Sequence, residues 1–258
     1  MNYSEKYIKT LKNMIPYSPV NKKIRIGRNG DGGYVVIDGY TYDSFISAGI
    51  SNEITFEIDF LQRYPNIPSV AFDGTVGRPQ GLPENIIFHK KNIGVTNTDQ
   101  TTNLKDIIDY HSDVFVKMDI EGEEWRWINS MSDSIRNIKQ IVFEAHAFFP
   151  HLLSQEYILC HCLGQTPDVW TDYILNGLIK LNETHYLVHV HENVYGPFVY
   201  VMDNNYPTFY ELTYIRKDCE VNGLNTENLP IPLLDYPTGQ SNMGGTIDKP
   251  LNFWPFKF

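Results

Sequence analysis

Five short apolar runs between Ser44 and Phe143 each end in small or acidic residues, and this repeat constrains the fold more than any other feature of the chain. The runs are 44–47, 69–72, 86–89, 114–118 and 138–143. Their exits are Ala48-Gly49-Ile50-Ser51-Asn52-Glu53, Asp73-Gly74-Thr75, Lys90-Lys91-Asn92-Ile93-Gly94, Asp119-Ile120-Glu121-Gly122 and Glu144-Ala145-His146. Helical spacing follows in several gaps: Ile54, Ile58, Phe60 and Leu61 after the first, Leu104 to Tyr110 before the fourth, Trp125 to Met131 after it. Alternating strand and helix predicts a mostly parallel sheet with helices on both faces. In such sheets ligands bind beyond the carboxyl ends of the strands. The pair Asp119 and Glu121 stands out there, because carboxylates at the end of a buried strand are unfavourable unless something offsets them.

The flanks add further elements. Residues 4–14 read as a helix ended by Pro16 and Pro19. Lys22 to Arg28, the turn Asn29-Gly30-Asp31-Gly32-Gly33 and Tyr34 to Ile37 read as a hairpin. A helix carrying Ile174, Leu175, Leu178 and Ile179 precedes strands at 186–190, 199–202 and 210–215. His189 and His191 alternate along the first of these, so both face one side. From Asn222 the chain is rich in Pro, Gly and Asn and reads as a surface-wrapping tail.

A net charge of -10 argues against general nucleic-acid binding, while leaving room for a small basic pocket. Cys160, Cys162 and Cys219 form no disulfide framework, and Cys160-His161-Cys162 is too compact for a usual zinc site. Met1 to Asn21 lacks the apolar centre of a signal peptide, and no apolar run reaches the roughly 18 residues of a membrane span. The expectation is a cytoplasmic protein without a membrane span. The aromatic end Phe253 to Phe258 suits a core edge or a partner, which leaves room for a homo-oligomer.

Gly49 would let a ligand approach the backbone at the start of a helix, and Asp73 stands where an acid can accept ribose hydroxyls. A turn glycine and a capping aspartate account for the same residues without any ligand. There is no G-x-G-x-x-G and no Walker A sequence, which counts against an NAD-linked oxidoreductase and against an ATPase.

Six segments, taken together, resemble the FkbM-like S-adenosylmethionine-dependent methyltransferases: Arg25 to Tyr34, Ser47 to Asp59, Ala71 to Thr75, Val116 to Glu124, Ile141 to His146 and His189 to Gly196. The resemblance implies a class I methyltransferase (Rossmann-like) α/β fold, a seven-stranded sheet with helices on both faces and the last strand antiparallel. It divides the chain into a helical extension (1–21), a methyltransferase domain with an N-terminal hairpin (22–220) and the tail (221–258). It implies S-adenosyl-L-methionine held by Gly49, Ile50 and Ser51, by Asp73 and Gly74 at the ribose, and by Asn92 and Ile93 near the adenine. Lys117 and Asp119 would lie by the methionine end. The first loop, Gly49-Ile50-Ser51-Asn52, departs from the fuller glycine-rich version of the family. The implied reaction is methylation of a hydroxyl on a sugar or nucleotide-activated sugar, in polysaccharide or glycan biosynthesis. An N- or P-linked group of a small metabolite is the alternative acceptor, and a non-catalytic module keeping the fold is the alternative to any enzyme.

The methyl of a sulfonium is already activated, so the protein must align an acceptor oxygen and take its proton. His146, His189 and His191 are the candidate bases, His146 first, with Asp119 beside the reaction centre. Asp119, Glu144 and His146 together also offer ligands for a divalent cation such as magnesium or manganese. Arg25 and Arg28 could meet a substrate phosphate and Asn193 a substrate hydroxyl. His151, His161 and the run Ala147 to Pro150 fall where a substrate lid would lie, and Trp125 and Trp127 read as packing residues.

Overall fold

The computed structural model describes residues 2–238 and 249–258. Its centre is a seven-stranded sheet. The strands are β1 (Ser44–Ala48), β2 (Ser69–Phe72), β3 (Ile86–His89), β4 (Val114–Met118), β5 (Ile138–Ala145), β6 (His185–Glu192) and β7 (Tyr210–Arg216). Their spatial order is β3-β2-β1-β4-β5-β7-β6. The first five are parallel, and β7 runs antiparallel to both β5 and β6. All seven were visible as apolar runs. The run at 199–202 lies elsewhere: Phe198–Val201 pairs with Asn204–Pro207 in a separate two-stranded ribbon.

Six helices accompany the sheet: α1 (Tyr3–Lys12), α2 (Thr55–Arg63), α3 (Lys105–Asp109), α4 (Glu124–Ser130), α5 (Gln155–His161) and α6 (Pro167–Thr184). Their starts have local causes. Asn2 and Glu5 form a reciprocal cap on α1. Thr166 caps α6, with Pro167 in its first turn.

Strand alternation divides the core in two. On β4, Val114, Val116 and Met118 join a cluster with Leu11, Trp125, Trp127, Trp170 and Leu178 of α1, α4 and α6. Phe115, on the opposite face, joins Phe56 and Phe60 of α2 and Ile26, Tyr34 and Val36 of the hairpin Lys23–Ile26/Tyr34–Ile37. There Phe60 stacks on Phe45 with ring centroids 4.2 Å apart and meets Phe115 at 4.4 Å. Both flanks of the chain enter the first cluster: Tyr7, Leu11 and Met14 from the N-terminal side, Leu229, Leu251 and Phe256 from the C-terminal side. The strand Val221–Leu224 pairs with Tyr17–Pro19. No helix among the described residues is long and apolar enough to cross a membrane.

Candidate active site

The parallel strands end along one edge, and cross-strand register sets a polar row there. Met118 is level with Phe143, Glu144 is level with Glu211, and Glu211 is level with His191. Asp119, Glu144, Glu211 and His191 therefore follow one another across β4, β5, β7 and β6. Two cavities open on this edge.

The first, of about 430 Å³, is lined by Gly49, Ser51, Phe72, Asp73, Thr75, Lys91, Asn92, Ile93, Asp119, Ile120, Glu121 and Glu123. Gly49 has φ +72°, and a Cβ there would lie 1.5 Å from the Asp119 carbonyl oxygen, so only glycine lets the β1 and β4 exits touch. Buried Lys117 donates to the Gly49 carbonyl at 3.0 Å and steadies this turn from below. Ser47, level with Lys117, donates to buried Glu57 at 2.5 Å. Asp73 accepts from the Ser51 amide at 2.9 Å, from the Thr75 amide at 2.7 Å and from the Thr75 hydroxyl at 2.6 Å. Burial pushes its pKa up, but these hydrogen bonds outweigh burial and hold the carboxyl below the ordinary range. Ile50 is buried among core aromatics, and Gly74 lies against the Asn92 side chain. Neither Ile50, Gly74 nor Lys117 is among the lining residues.

The second cavity, of about 630 Å³, is lined by Asp31, Asp119, Glu121, Glu144, Glu156, Tyr157, Cys160, His146, His161, Tyr195 and Phe209. Asp119 and Glu121 line both cavities. His146, buried at the β5 exit, is surrounded by acids. Its Nδ1 lies 3.2 Å from Glu124 Oε1, and its Nε2 lies 3.4 Å from Glu144 and 3.7 Å from Glu121. Burial alone would lower its pKa, but Glu124, Glu144 and Asp119 outweigh that and push it up to about 10. Burial raises Asp119 to about 6 and Glu144 well above its ordinary value.

Glu144 is fixed by Asn193, whose Nδ2 donates to Oε1 at 2.5 Å. The amide is itself oriented, since its Oδ1 accepts from the Tyr195 amide at 2.9 Å and the Thr238 hydroxyl at 3.0 Å. Asn193 thus acts on a carboxylate of the site, where a substrate hydroxyl was expected. Glu124 does the same for the β4 exit: fully buried, it accepts from the Ile120 amide at 2.9 Å and the Gly122 amide at 3.3 Å. That folds Glu121 (φ +57°) and Gly122 (φ +105°) into the left-handed region. Trp125 donates to the His146 carbonyl at 3.1 Å, so this packing residue also sets the β5 exit.

One nitrogen or oxygen from each of Asp119, Glu144 and His146 lies within 4.8 Å of the others. Asp119 Oδ1 is buried without a hydrogen-bond partner. Two carboxylates and an imidazole so placed fit a divalent cation.

Other expected residues lie apart from the cavities. His189 Nε2 is 2.8 Å from Asp235, and His191 Nδ1 is 2.8 Å from Glu211. Arg25 donates to the carbonyls of Arg28, Gly30 and Leu234 at 2.8, 2.6 and 2.8 Å. Arg28 pairs with Glu53 at 3.0 Å and Asp31 at 3.7 Å. Both guanidinium groups staple the hairpin turn. Sequence reasoning did not reach Glu156, Tyr157 and Phe209; α5 is a short helix of seven residues, and Phe209 precedes a strand without any polar marker. The acid of Glu124, three residues after Glu121, was the signal for the buried brace.

Residues 22–162 match the methyltransferase FkbM domain. No curated protein matches the chain. Among solved structures, a fibrillarin/Nop5p complex is similar with TM-score 0.42 at 8% identity, over 70% of this chain and 76% of that one. A putative tRNA (m1A22) methyltransferase of Streptococcus pneumoniae gives 0.34 at 12%, over 69% and 65%. The precorrin-6y C5,15-methyltransferase of Geobacter metallireducens GS-15 gives 0.33 at 13%, over 81% and 87%. These scores are low, and the assignment rests on the domain match, which spans more than half of the chain. The chain belongs to the FkbM methyltransferase family and is an S-adenosylmethionine-dependent methyltransferase.

Proposed function

We propose that the chain transfers the methyl group of S-adenosylmethionine to a hydroxyl of a sugar, with the nucleotide in the smaller cavity and the acceptor in the larger. The observation that carries this reading is that Asp119 and Glu121 line both cavities. Donor sulfur and acceptor oxygen can then meet over the β4 exit, as an in-line displacement requires. Asp73, whose carboxylate is held ionised by its hydrogen bonds, binds the ribose; Asn92 and Ile93 flank the adenine; Gly49 and Ser51 take the methionine end. Lys117 keeps the Gly49 turn in place.

The acceptor proton passes to the trio Asp119, Glu144 and His146, of which Asp119 faces both cavities. The same trio would hold a divalent cation, whose chemistry there is to acidify a hydroxyl. Glu124 and Asn193 fix the directions of His146 and Glu144. An aromatic wall of Phe209, Tyr157 and Tyr195 suits the apolar face of a sugar ring.

The reading is tested by calorimetric titration of S-adenosylmethionine and S-adenosylhomocysteine, followed by methyl transfer to a panel of sugars before and after chelation with EDTA. Both sulfur nucleotides should bind, and Asp73→Ala should weaken them by roughly tenfold or more, since a charged acceptor of hydroxyl hydrogen bonds is lost. Nucleotide binding untouched by Asp73→Ala would sink the cavity assignment, and activity undiminished by EDTA would leave the trio as a base without a cation.

A further inference from the structure

The acceptor cavity is strongly acidic. Five carboxylates line it, those of Asp31, Asp119, Glu121, Glu144 and Glu156, and no lysine or arginine is among the described lining residues. Arg28, which reaches the lining residue Asp31, is occupied by it and by Glu53, and Arg25 is occupied by three backbone carbonyls. A divalent cation held by Asp119, Glu144 and His146 would balance two of the five carboxylates. Glu121 and Glu156 would still face the cavity, so the sign of its field does not depend on the cation. The imidazoles of His146 and His161 are the basic groups among the described lining residues, and Glu121, Glu124 and Glu144 already face His146, so a phosphate or carboxylate on the acceptor would find acids in excess of counter-charge there.

Aromatic rings share this lining with the acids. The Phe209 ring lies edge-on to His146 and to His161, each with centroids 4.8 Å away, and Tyr157 stands 6.3 Å from it. The helix α5 brings Glu156, Tyr157, Cys160 and His161 to the cavity from one face. Its end is locked to the β4 exit, since a Cβ on Gly122 would lie 2.5 Å from the His161 carbonyl oxygen. Carboxylates beside aromatic rings form the chemistry that receives an ammonium group: coulombic attraction from one side and cation–π contact from the other.

We propose that the acceptor carries a positive charge beside the hydroxyl it offers, as an amino sugar does, and that Glu121 and Glu156 hold this ammonium against the aromatic wall. The assignment rests on the reading of the larger cavity as the acceptor site. In the transfer, the methyl C–S bond breaks as the C–O bond forms. The sulfur keeps the electron pair and leaves as neutral S-adenosylhomocysteine, the hydroxyl proton goes to the Asp119–Glu144–His146 trio, and the ammonium is unchanged. An ammonium in this position also gives a role to Glu156, an acid that the helix α5 adds to those of the β4 and β5 exits.

The test uses the full chain saturated with S-adenosylhomocysteine, and three probes: glucosamine, N-acetylglucosamine and glucose 6-phosphate. Calorimetry should rank glucosamine first, by at least about fivefold over N-acetylglucosamine, with glucose 6-phosphate last; Glu156→Gln and added salt should each shrink the gap. Glu156 lies exposed in the first turn of α5, so its replacement leaves the core intact. Equal binding of the three probes, a reversed ranking, or no binding of any overturns the cationic acceptor. The heat of S-adenosylhomocysteine binding, measured first on the same sample, separates this failure from that of the methyl-transfer reading: a missing nucleotide signal strikes the latter.

Discussion

At the scale of single residues, the site is organised by side chains that are not among the lining residues of either cavity. Glu124 holds two amides of the β4 exit and faces His146 Nδ1 at 3.2 Å. Removing it leaves those amides unpaired and a buried imidazole without its nearest counter-charge. Glu124→Ala should therefore lose about 3 kcal/mol in denaturant titration, a cost typical of breaking a buried pair. Glu124→Gln keeps shape and an acceptor oxygen but not the charge. It should cost about 1 kcal/mol while lowering methyl transfer by roughly tenfold, because His146 loses the partner that orients it. A Gln variant with full activity would show that the negative charge is dispensable. The Asn193 amide plays the matching part for Glu144. Its two accepted hydrogen bonds fix which end donates, so Asn193→Asp should repel Glu144 and lower kcat with nucleotide binding unchanged. Equal losses in nucleotide affinity and in kcat would mean that the whole edge had shifted instead.

At the scale of elements, the decisive contact is between two strand exits. Gly49 and Asp119 touch through backbone, and the space for a Cβ is absent. Gly49→Ala should push β1 and β4 apart at their carboxyl ends, weakening S-adenosylhomocysteine by at least about tenfold, since strain at a left-handed position adds to the clash. Unaltered affinity in this variant would place the nucleotide elsewhere. The strands themselves were legible because each is a short apolar run, buried on both faces in Ser44–Ala48 and Val114–Met118 and exposed in part at β3. Their exits were legible because Gly, Asp and Glu interrupt those runs. The acceptor side was not. α5 has no fully buried residue and only seven residues, so apart from its Ser154 cap its sequence marks it weakly as a helix. The engagement of Arg25 by carbonyls of Arg28, Gly30 and Leu234 was hidden for another reason: the last of these lies 209 residues away, and tertiary backbone contacts leave no local pattern. His189 and His191 share a sheet face, as their spacing requires, but which acid meets each depends on the fold of distant segments.

At the scale of the whole molecule, β6 is one of the two edge strands of the sheet, and buried histidines tie it at its start and further along. His189 meets Asp235 of the C-terminal segment, and His185 Nε2 lies 2.7 Å from the Ile138 carbonyl at the start of β5. A carbonyl only accepts, so Nε2 carries the proton and Nδ1 is left to accept from Thr184 at 2.7 Å. A second proton would put a charge in a fully buried ring. Burial depresses His185 to about 4; the bond to Ile138 opposes this, Arg216 and Lys217 add to it, and Asp218 opposes it. The unfolded chain takes up this proton near pH 6.5, so between 6.5 and 4 it binds more protons than the folded one. Stability from this group is complete above pH 6.5 and is lost as pH falls toward 4, by about 3 kcal/mol. Asp235 has the opposite character: His189 and the Ile231 amide outweigh its burial and hold it at about 2. Its contribution is complete above about pH 4 and is lost as pH falls through 2. Acid should therefore loosen the β6 edge in two stages, the first at His185 and the second where the C-terminal segment is anchored. Chemical denaturation at a series of pH values gives the proton uptake directly. His185→Gln, which keeps a donor for the Ile138 carbonyl, should remove about one proton from the slope between pH 6.5 and 4 and leave the lower stage in place. A slope unchanged by this substitution would mean that acid first opens the molecule somewhere other than its sheet edge.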